Sequence, residues 1–240
     1  MKENELFLKD NELILHAVKI DGKIKYGFVD ANREWVIEPK FDKAYSFKEG
    51  LALVELEDKF GFIKTDGSWL TETKFDKAWG FVDGLARVKL DNKWGMIKPD
   101  GTWFIEPKFG DLMDFVGGLA GAADTNEKWG YIKTDGSWFV QPQFSYANSF
   151  HNGFAIVVDS NRNKGFLKSD GTWLIEPKFD DAQNFSEGFA AVKIDLKWGY
   201  IRTDGSWLIE PQNFCSAWSF SEGFVVVQDK KSFKFNFALS

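Results

Sequence analysis

The sequence predicts an all-β protein built as a tandem array of short antiparallel β-meanders. Three markers recur with a single period of 34 or 35 residues: an aromatic-glycine step, a tryptophan after it, and a later glycine. Glycine (22 residues) and aromatic residues (17%) are abundant, which favours short strands joined by tight turns. Because three separate markers keep one spacing, the chain consists of internal repeats. The steps end at Gly27, Gly61, Gly95, Gly130, Gly165 and Gly199, the tryptophans are Trp35, Trp69, Trp103, Trp138, Trp173 and Trp207, and the later glycines are Gly50, Gly84, Gly118, Gly153, Gly188 and Gly223.

The first two strands of each unit are predicted to form a hairpin. Asp-Gly between two apolar runs is a strong hairpin signal, because glycine tolerates the positive φ that such turns require. The first copy has Asn32-Arg33 in this place, so its turn is expected to differ. After the second strand, Pro-x-Phe is expected to end the pairing, since proline cannot donate to a ladder. The Asp-Gly pairs are Asp66-Gly67, Asp100-Gly101, Asp135-Gly136, Asp170-Gly171 and Asp204-Gly205.

A third strand follows the later glycine of each unit. Its second and fourth positions are small or β-branched, as in Ala52 and Val54, which indicates one closely packed face. The position between them varies from unit to unit. We therefore expect it to be exposed and to present a unit-specific binding surface. The residues at this variable position are Leu53, Arg87, Gly121, Ile156, Ala191 and Val226.

The repeats predict a single domain over residues 1–240, with six full units between about 17 and 223 and partial units at both ends. Each hairpin is apolar on both faces, so neighbouring units must cover it by stacking. Two arrangements fit this stacking: a β-propeller-like ring and an open β-superhelix. Residues 13–20 resemble a third strand, and Leu6-Phe7-Leu8 could supply the strand that closes a ring. The sequence leaves both arrangements open.

The pattern resembles the bacterial WG (KWG) repeat family over roughly residues 11–228. The resemblance rests on the Lys-Trp-Gly steps, the Asp-Gly turn, Glu/Gln-Pro-x-Phe and Phe-x-x-Gly. It departs at Lys164-Gly165, where the aromatic residue is missing, and after Asp229. The resemblance implies a repeat architecture in a bacterial protein and no assigned activity or catalytic residues. The Lys-Trp-Gly steps are Lys93-Trp94-Gly95, Lys128-Trp129-Gly130 and Lys197-Trp198-Gly199.

Two groups of aromatic residues are candidates for binding. The aromatic-glycine position holds Lys164 in one unit, and a position that accepts lysine is expected to be partly solvated. Trp94, Trp129 and Trp198 at this position are therefore candidates for stacking on a glycan. Tyr45, Trp79 and Trp218 lie in the irregular segment and form a second candidate patch on a loop-bearing face. The six tryptophans after the hairpin turns are instead expected to be core.

Charge and composition argue against several classes of partner. A formal net charge of −6 disfavours a nucleic-acid binder. A basic stripe runs from Lys64 to Arg202, but repeated glutamates neutralise it. No stretch approaches the roughly 20 apolar residues that a membrane span requires. The charged N-terminus and the single cysteine, Cys215, predict a cytoplasmic protein, or a secreted one if a signal peptide has been removed.

The sequence carries no recognisable catalytic constellation. His16 and His151 occupy unrelated positions in different repeats, and no metal-ligand spacing, phosphate loop or nucleophile motif occurs. We therefore expect neither a cofactor nor a metal, and no enzymatic activity. The predicted function is a non-catalytic repeat scaffold that binds another protein through variable third-strand and loop residues. The alternative is a carbohydrate or cell-wall binding module with repeated aromatic pockets; a hydrolase with a central site is the weakest reading.

Overall fold

The computed structural model describes residues 13–228 and the backbone of residues 233–235, and this part of the chain contains strands, turns and irregular segments without a helix. It groups into two compact units, one ending at Phe109 and one beginning at Gly110. The predicted all-β class and the tandem meanders are confirmed. The single-domain organisation stays a prediction, and Leu6-Phe7-Leu8 lies outside the described residues.

The strands of the first unit are β1 (Ile14–Ile20), β2 (Lys23–Val29), β3 (Trp35–Phe41), β4 (Lys43–Ala44), β5 (Leu51–Leu56), β6 (Lys59–Lys64), β7 (Trp69–Phe75), β8 (Lys77–Ala78), β9 (Ala86–Leu90), β10 (Lys93–Ile97) and β11 (Trp103–Phe109). The strands of the second unit are β12 (Asp111–Leu112), β13 (Leu119–Ala123), β14 (Trp129–Lys133), β15 (Trp138–Phe144), β16 (Tyr146–Ala147), β17 (Phe154–Val158), β18 (Lys164–Lys168), β19 (Trp173–Phe179), β20 (Asp181–Ala182), β21 (Phe189–Ile194), β22 (Lys197–Arg202), β23 (Trp207–Gln212), β24 (Ser216–Ala217), β25 (Val226–Gln228) and β26 (Phe233–Phe235).

The strands form seven antiparallel sheets in the described part of the chain, each pairing consecutive strands in order. Sheet 1 holds β1–β3, sheets 2 to 6 hold four strands each (β4–β7, β8–β11, β12–β15, β16–β19 and β20–β23), and sheet 7 holds β24–β26. A four-stranded sheet starts with a two-residue strand and the third strand of one sequence unit. It ends with the aromatic-glycine strand and the tryptophan strand of the next unit. Each such sheet is therefore shared between two sequence units.

The Asp-Gly hairpin turns form as predicted, with a longer loop than a two-residue turn. In the loop after β6, the Gly67 amide donates to the Lys64 carbonyl (2.9 Å), and Gly67 has a φ of 80°. The Asp66 carboxylate accepts from the Ser68 hydroxyl and amide, which lowers the pKa of Asp66. The first copy differs as expected, because Arg33 itself takes a positive φ of 65°.

The strands that carry Pro-x-Phe end at its phenylalanine, as predicted, but pairing continues past the proline through a bulge. In sheet 3, Trp94 pairs with Phe109 while Met96 pairs with Ile105. One residue, Gly95, thus faces the three residues 106–108. Pro107 lies in this bulge, where the ladder needs no amide from it, so the strand can keep pairing beyond it.

The sheets stack so that an inner sheet is covered on both faces. Ala52 and Val54 of sheet 2 pack against sheet 1, in one cluster with Phe28 and Ile37. Leu53, on the other face, packs against sheet 3 in a cluster with Phe81, Ala86 and Val88. Full burial of a large apolar side chain stabilises by about 1.5–3 kcal/mol. The predicted closely packed face is confirmed, since its residues are at most 3% exposed: Ala52, Ala86, Ala120, Ala155, Ala190, Val225, Val54, Val88, Ala122, Val157, Val192 and Val227.

Within each unit, the tryptophan after a turn joins its sheet to the preceding sheet of the same unit. Trp69 meets Phe41 edge to face, with ring centroids 5.8 Å apart, and Trp173 meets Phe144 at the same distance. All six of these tryptophans are half-buried. The expectation that they pack in the core is thus met in part, because four of them contact a phenylalanine ring of the preceding sheet in the same unit: Trp69, Trp103, Trp173 and Trp207.

Candidate functional site

The irregular segments after the two-residue strands carry exposed aromatic side chains. Tyr45, Trp79 and Trp218 occupy the same position in sheets 2, 3 and 7, and they are 50%, 57% and 42% exposed. Their backbones are held in place, since the Trp79 amide donates to the Arg87 carbonyl at 2.9 Å and the other two make the equivalent bond. These fixed segments therefore present aromatic rings to solvent, as the sequence predicts.

A groove between sheets 2 and 3 lies within the first unit and has a volume of about 770 Å³. We call it the sheet 2–3 groove. Tyr45 and Trp79 line it, one from each sheet, and Leu53 and Phe81 add apolar surface. The volume suits several side chains of a bound segment or a small molecule. Its other lining residues are Lys43, Ser46, Lys48, Leu51, Glu55, Asp58, Phe60, Asp76, Lys77, Ala78, Gly80 and Trp94.

An ion pair with a buried carboxylate and an exposed ammonium lies in the lining of the groove. Glu55 is only 5% exposed, and both of its carboxylate oxygens accept from the Lys43 ammonium, at 2.8 and 3.1 Å. This hydrogen bond raises the pKa of Lys43. The ammonium is well exposed, so the pair places one accessible positive charge over a buried negative one.

Asp76 is the second engaged carboxylate of the groove. Its Oδ1 accepts from the Lys59 ammonium at 2.7 Å, and its Oδ2 accepts from the Asn92 amide at 3.2 Å. The hydrogen bond from Lys59 and then that from Asn92 lower the pKa of Asp76. The groove therefore has a polar, already organised rim around apolar and aromatic surface.

The structure brings together part of the predicted site. Tyr45, Leu53, Trp79 and Trp94 all line the sheet 2–3 groove, and the Arg87 guanidinium lies 5.5 Å from the centre of the Trp79 ring. The remaining predicted residues belong to the second unit and do not line this groove. They are Trp129, Ile156, Trp198, Trp218 and Val226.

The expectation that the aromatic-glycine position is solvated is wrong for its tryptophans. Trp94, Trp129 and Trp198 are only 7–8% exposed. Trp129 packs against Tyr146 in a tilted arrangement, with ring centroids 5.0 Å apart. Lys164 fits this buried position because its ammonium reaches the Asp181 carboxylate while its stem stays in the strand. A lysine in one unit was therefore poor evidence for solvent.

The variable third-strand position is also less exposed than expected. Leu53 and Ile156 are buried, at 6% and 5%, whereas Arg87 and Val226 are half-buried. The reason is that the following sheet covers this face: Ile156 lies in one cluster with Phe185 and Val192. The variation thus reflects different packing partners at these positions.

The Lys43–Glu55 pair was not predicted from the sequence. The two residues are cross-strand partners in β4 and β5. One signal was present in the sequence: the glutamate at this position is specific to one unit, because the equivalent positions hold unrelated residues. Identifying Lys43 as its partner, however, requires the register between β5 and the two-residue strand β4. That register became visible only with the structure. The positions equivalent to Glu55 are Lys89, Ala123, Val158, Lys193 and Gln228.

A second missed feature links the Phe-x-x-Gly turns of consecutive sheets. In the second unit, the two carboxylate oxygens of Glu187 accept from the amides of Glu222 and Gly223, at 2.7 and 2.8 Å. In the first unit, Glu49 accepts from the Gly84 amide at 3.0 Å. An acidic residue of one turn thus binds the backbone of the next.

Among the described residues, no group of three or more His, Cys, Asp or Glu side chains is placed to hold a metal ion. Cys215 is an exposed free thiol. No helix long and apolar enough to cross a membrane occurs over the ranges 13–228 and 233–235.

Comparisons with known proteins agree with the repeat pattern. A family model described as "WG containing repeat" matches residues 26–60, 60–94, 94–128, 129–162, 165–198 and 198–231. No curated protein sequence matches the chain.

Similar solved structures include BamB from Moraxella catarrhalis, at 12% identity over 91% of this chain and 79% of that chain, with a TM-score of 0.43. Kluyveromyces lactis Hsv2 is similar at 8% identity over 91% and 86%, with a TM-score of 0.45. The WD40 beta propeller domain of Doa1 is similar at 13% identity over 94% and 89%, with a TM-score of 0.35.

Proposed function

Because the chain belongs to the WG containing repeat family, we propose that it is a non-catalytic scaffold that binds a segment of another protein in the sheet 2–3 groove. The observation that carries this proposal is the exposure of Tyr45 and Trp79 at the two sides of one groove. Backbone hydrogen bonds hold the segments that carry both rings in place before binding, so little backbone ordering cost remains for the complex.

The lining has the composition of a protein interface. Tyrosine, tryptophan and arginine are enriched where proteins bind one another. Here Tyr45, Trp79 and Leu53 line the groove, and the Arg87 guanidinium lies over the Trp79 ring. The charged rim adds hydrogen-bonding groups that suit a main chain or polar side chains. An extended segment with one or two large apolar side chains matches this surface.

A protein segment fits the observations better than a glycan. Stacking on a sugar requires an accessible ring face, and Trp94, Trp129 and Trp198 are buried. The Arg87 guanidinium lies over the Trp79 ring. The repeated aromatic pockets that a lectin would use are therefore closed at the aromatic-glycine position.

Selection from a phage-displayed library of random peptides on the whole chain tests the proposal. We expect enriched peptides whose affinity, measured by isothermal titration calorimetry, falls about 30-fold in Trp79→Ala, since an aromatic anchor contributes roughly 2 kcal/mol or more. Tyr45→Ala is expected to weaken the same peptides.

Trp218→Ala is the matched control, because Trp218 is an exposed tryptophan at the same repeat position outside the groove. It is expected to leave peptide affinity unchanged. A glycan array run in parallel covers the alternative function. Enrichment of no peptide, or of peptides indifferent to Trp79→Ala, contradicts the proposal, and saturable binding of glycans alone favours the carbohydrate module.

A further inference from the structure

The Phe-x-x-Gly turns share a backbone conformation that can bind an anion. In each turn two consecutive residues have positive φ, such as Asn152 (50°) with Gly153 (84°) and Glu222 (54°) with Gly223 (76°). Successive amides in such turns point into a common concave face, which forms a backbone nest for a negatively charged group.

The nest at Glu222 and Gly223, in the second unit, binds a carboxylate. The amides of Glu222 and Gly223 both donate to the Glu187 carboxylate of the preceding turn, one to each oxygen. Glu187 itself has a φ of 52°, so an acidic side chain is compatible with this backbone conformation. A carboxylate is thus the ligand that the repeat supplies to this nest, as Glu49 does for the Gly84 amide in the first unit.

At the junction of sheets 4 and 5 this internal ligand is missing. Gly117 occupies the position equivalent to Glu187, 35 residues before Asn152, and it has no side chain. Within the described residues, the backbone amides of Asn152 and Gly153 donate no hydrogen bond. The side chain of Asn152 points onward, because its Nδ2 donates to the Phe185 carbonyl at 3.0 Å. His151, which is exposed, begins the same turn.

We propose that the nest at Asn152 and Gly153 is a carboxylate-binding site that takes a carboxylate from outside the chain, because Gly117 leaves it without its internal ligand. The two amides bind one oxygen each, as the amides of Glu222 and Gly223 bind Glu187. That the carboxylate belongs to a protein partner, as an acidic side chain or a chain terminus, rests on the proposed function; the site itself does not.

Acetate is the probe for the site, followed by 15N-resolved NMR of the whole chain with chloride at equal ionic strength as reference. We expect a saturable downfield shift of the Asn152 and Gly153 amide protons. The amides of Glu222 and Gly223 are the internal control, because Glu187 already occupies them, and they are expected not to respond.

Two variants test the role of the internal carboxylate: one fills the free nest, and the other empties the occupied one. Gly117→Glu is expected to abolish the acetate shift at Asn152 and Gly153 by supplying the missing carboxylate. A Cβ at Gly117 meets no atom within 4 Å, and although its φ of 59° disfavours a side chain, Glu49 and Glu187 adopt the same conformation at the equivalent position. Glu187→Ala is expected to make the amides of Glu222 and Gly223 responsive. The inference is wrong if Asn152 and Gly153 show no saturable shift, or if Gly117→Glu folds and leaves the shift unchanged.

Two tripeptides distinguish the sources of the carboxylate: one is blocked at both ends and has a central aspartate, and the other is blocked only at its N-terminus and keeps a free terminal carboxyl group. The tighter binder identifies the form that a partner presents. If acetate does not bind while peptides still bind the sheet 2–3 groove, only the proposal of a carboxylate site is refuted. If acetate binds but no peptide binds the groove, the proposed function is refuted and the carboxylate site stands.

Discussion

The close approach of two backbones at the aromatic-glycine step predicts that Gly95→Ala destabilises the protein strongly. A Cβ built on Gly95 lies 2.5 Å from the Ile105 carbonyl oxygen and 2.8 Å from the Pro107 nitrogen. Both are main-chain atoms within the bulge, so they cannot move aside as a flexible side chain can. The strand or the bulge must shift by several tenths of an ångström.

The cost follows from overpacking. Forcing extra volume into a well-packed region costs about 1–3 kcal/mol, and occasionally more. A glycine-to-alanine change also lowers the conformational entropy of the unfolded chain, which stabilises the folded state by about 0.4–1 kcal/mol and offsets part of this cost. We expect a net loss of about 2 kcal/mol, and a fall of the melting temperature by roughly 4–8 °C for a chain of this size.

Gly80→Ala is the matched control in the same unit. Gly80 is outside the positive-φ region, and a Cβ there meets nothing within 4 Å. This variant is expected to be neutral or slightly stabilised. Urea unfolding followed by circular dichroism gives both free energies of unfolding. If Gly95→Ala and Gly80→Ala unfold at the same urea concentration, the close-approach argument is refuted.

Three further changes test the described packing and charges. Thr71→Val is expected to stabilise by about 1 kcal/mol in urea unfolding, because the buried Thr71 hydroxyl has no partner among the described residues; an unchanged midpoint counts against this. Asp76→Asn is expected to destabilise at neutral pH and to lose its effect in acid. The folded pKa of Asp76 is lowered, so its contribution is complete above about pH 4 and disappears as the pH falls through the folded value. Lys43→Met is expected to destabilise more than Lys48→Met, since only Lys43 pairs with buried Glu55; equal thermal midpoints contradict that.

Much of the fold could be predicted because its signals are local. The Asp66-Gly67 turn follows from the φ that glycine adopts, and the small residues Ala52 and Val54 indicate a closely packed face. Arg33, which replaces glycine in the first turn, marked the copy that differs. Each of these inferences needs only a few neighbouring residues, so the repeat pattern is sufficient.

The candidate site was less predictable because it depends on which sheet covers which face. Leu53 varies between units and was expected to be exposed, yet it packs against sheet 3. Trp94 was expected to be solvated because another unit has Lys164, whose stem and ion pair with Asp181 explain that exception. Tyr45 and Trp79 were correctly expected to be exposed, but their position across one groove depends on sheet stacking that no single unit encodes.

The offset between sequence units and sheets has a consequence for how such genes lengthen and shorten. Loss of one period, cut inside a sheet, removes the end of that sheet and the beginning of the next. The flanking halves then meet in the correct strand order and rebuild a complete sheet. Unequal recombination can therefore change the copy number without leaving an unpaired strand, which makes the array tolerant of evolutionary change in length.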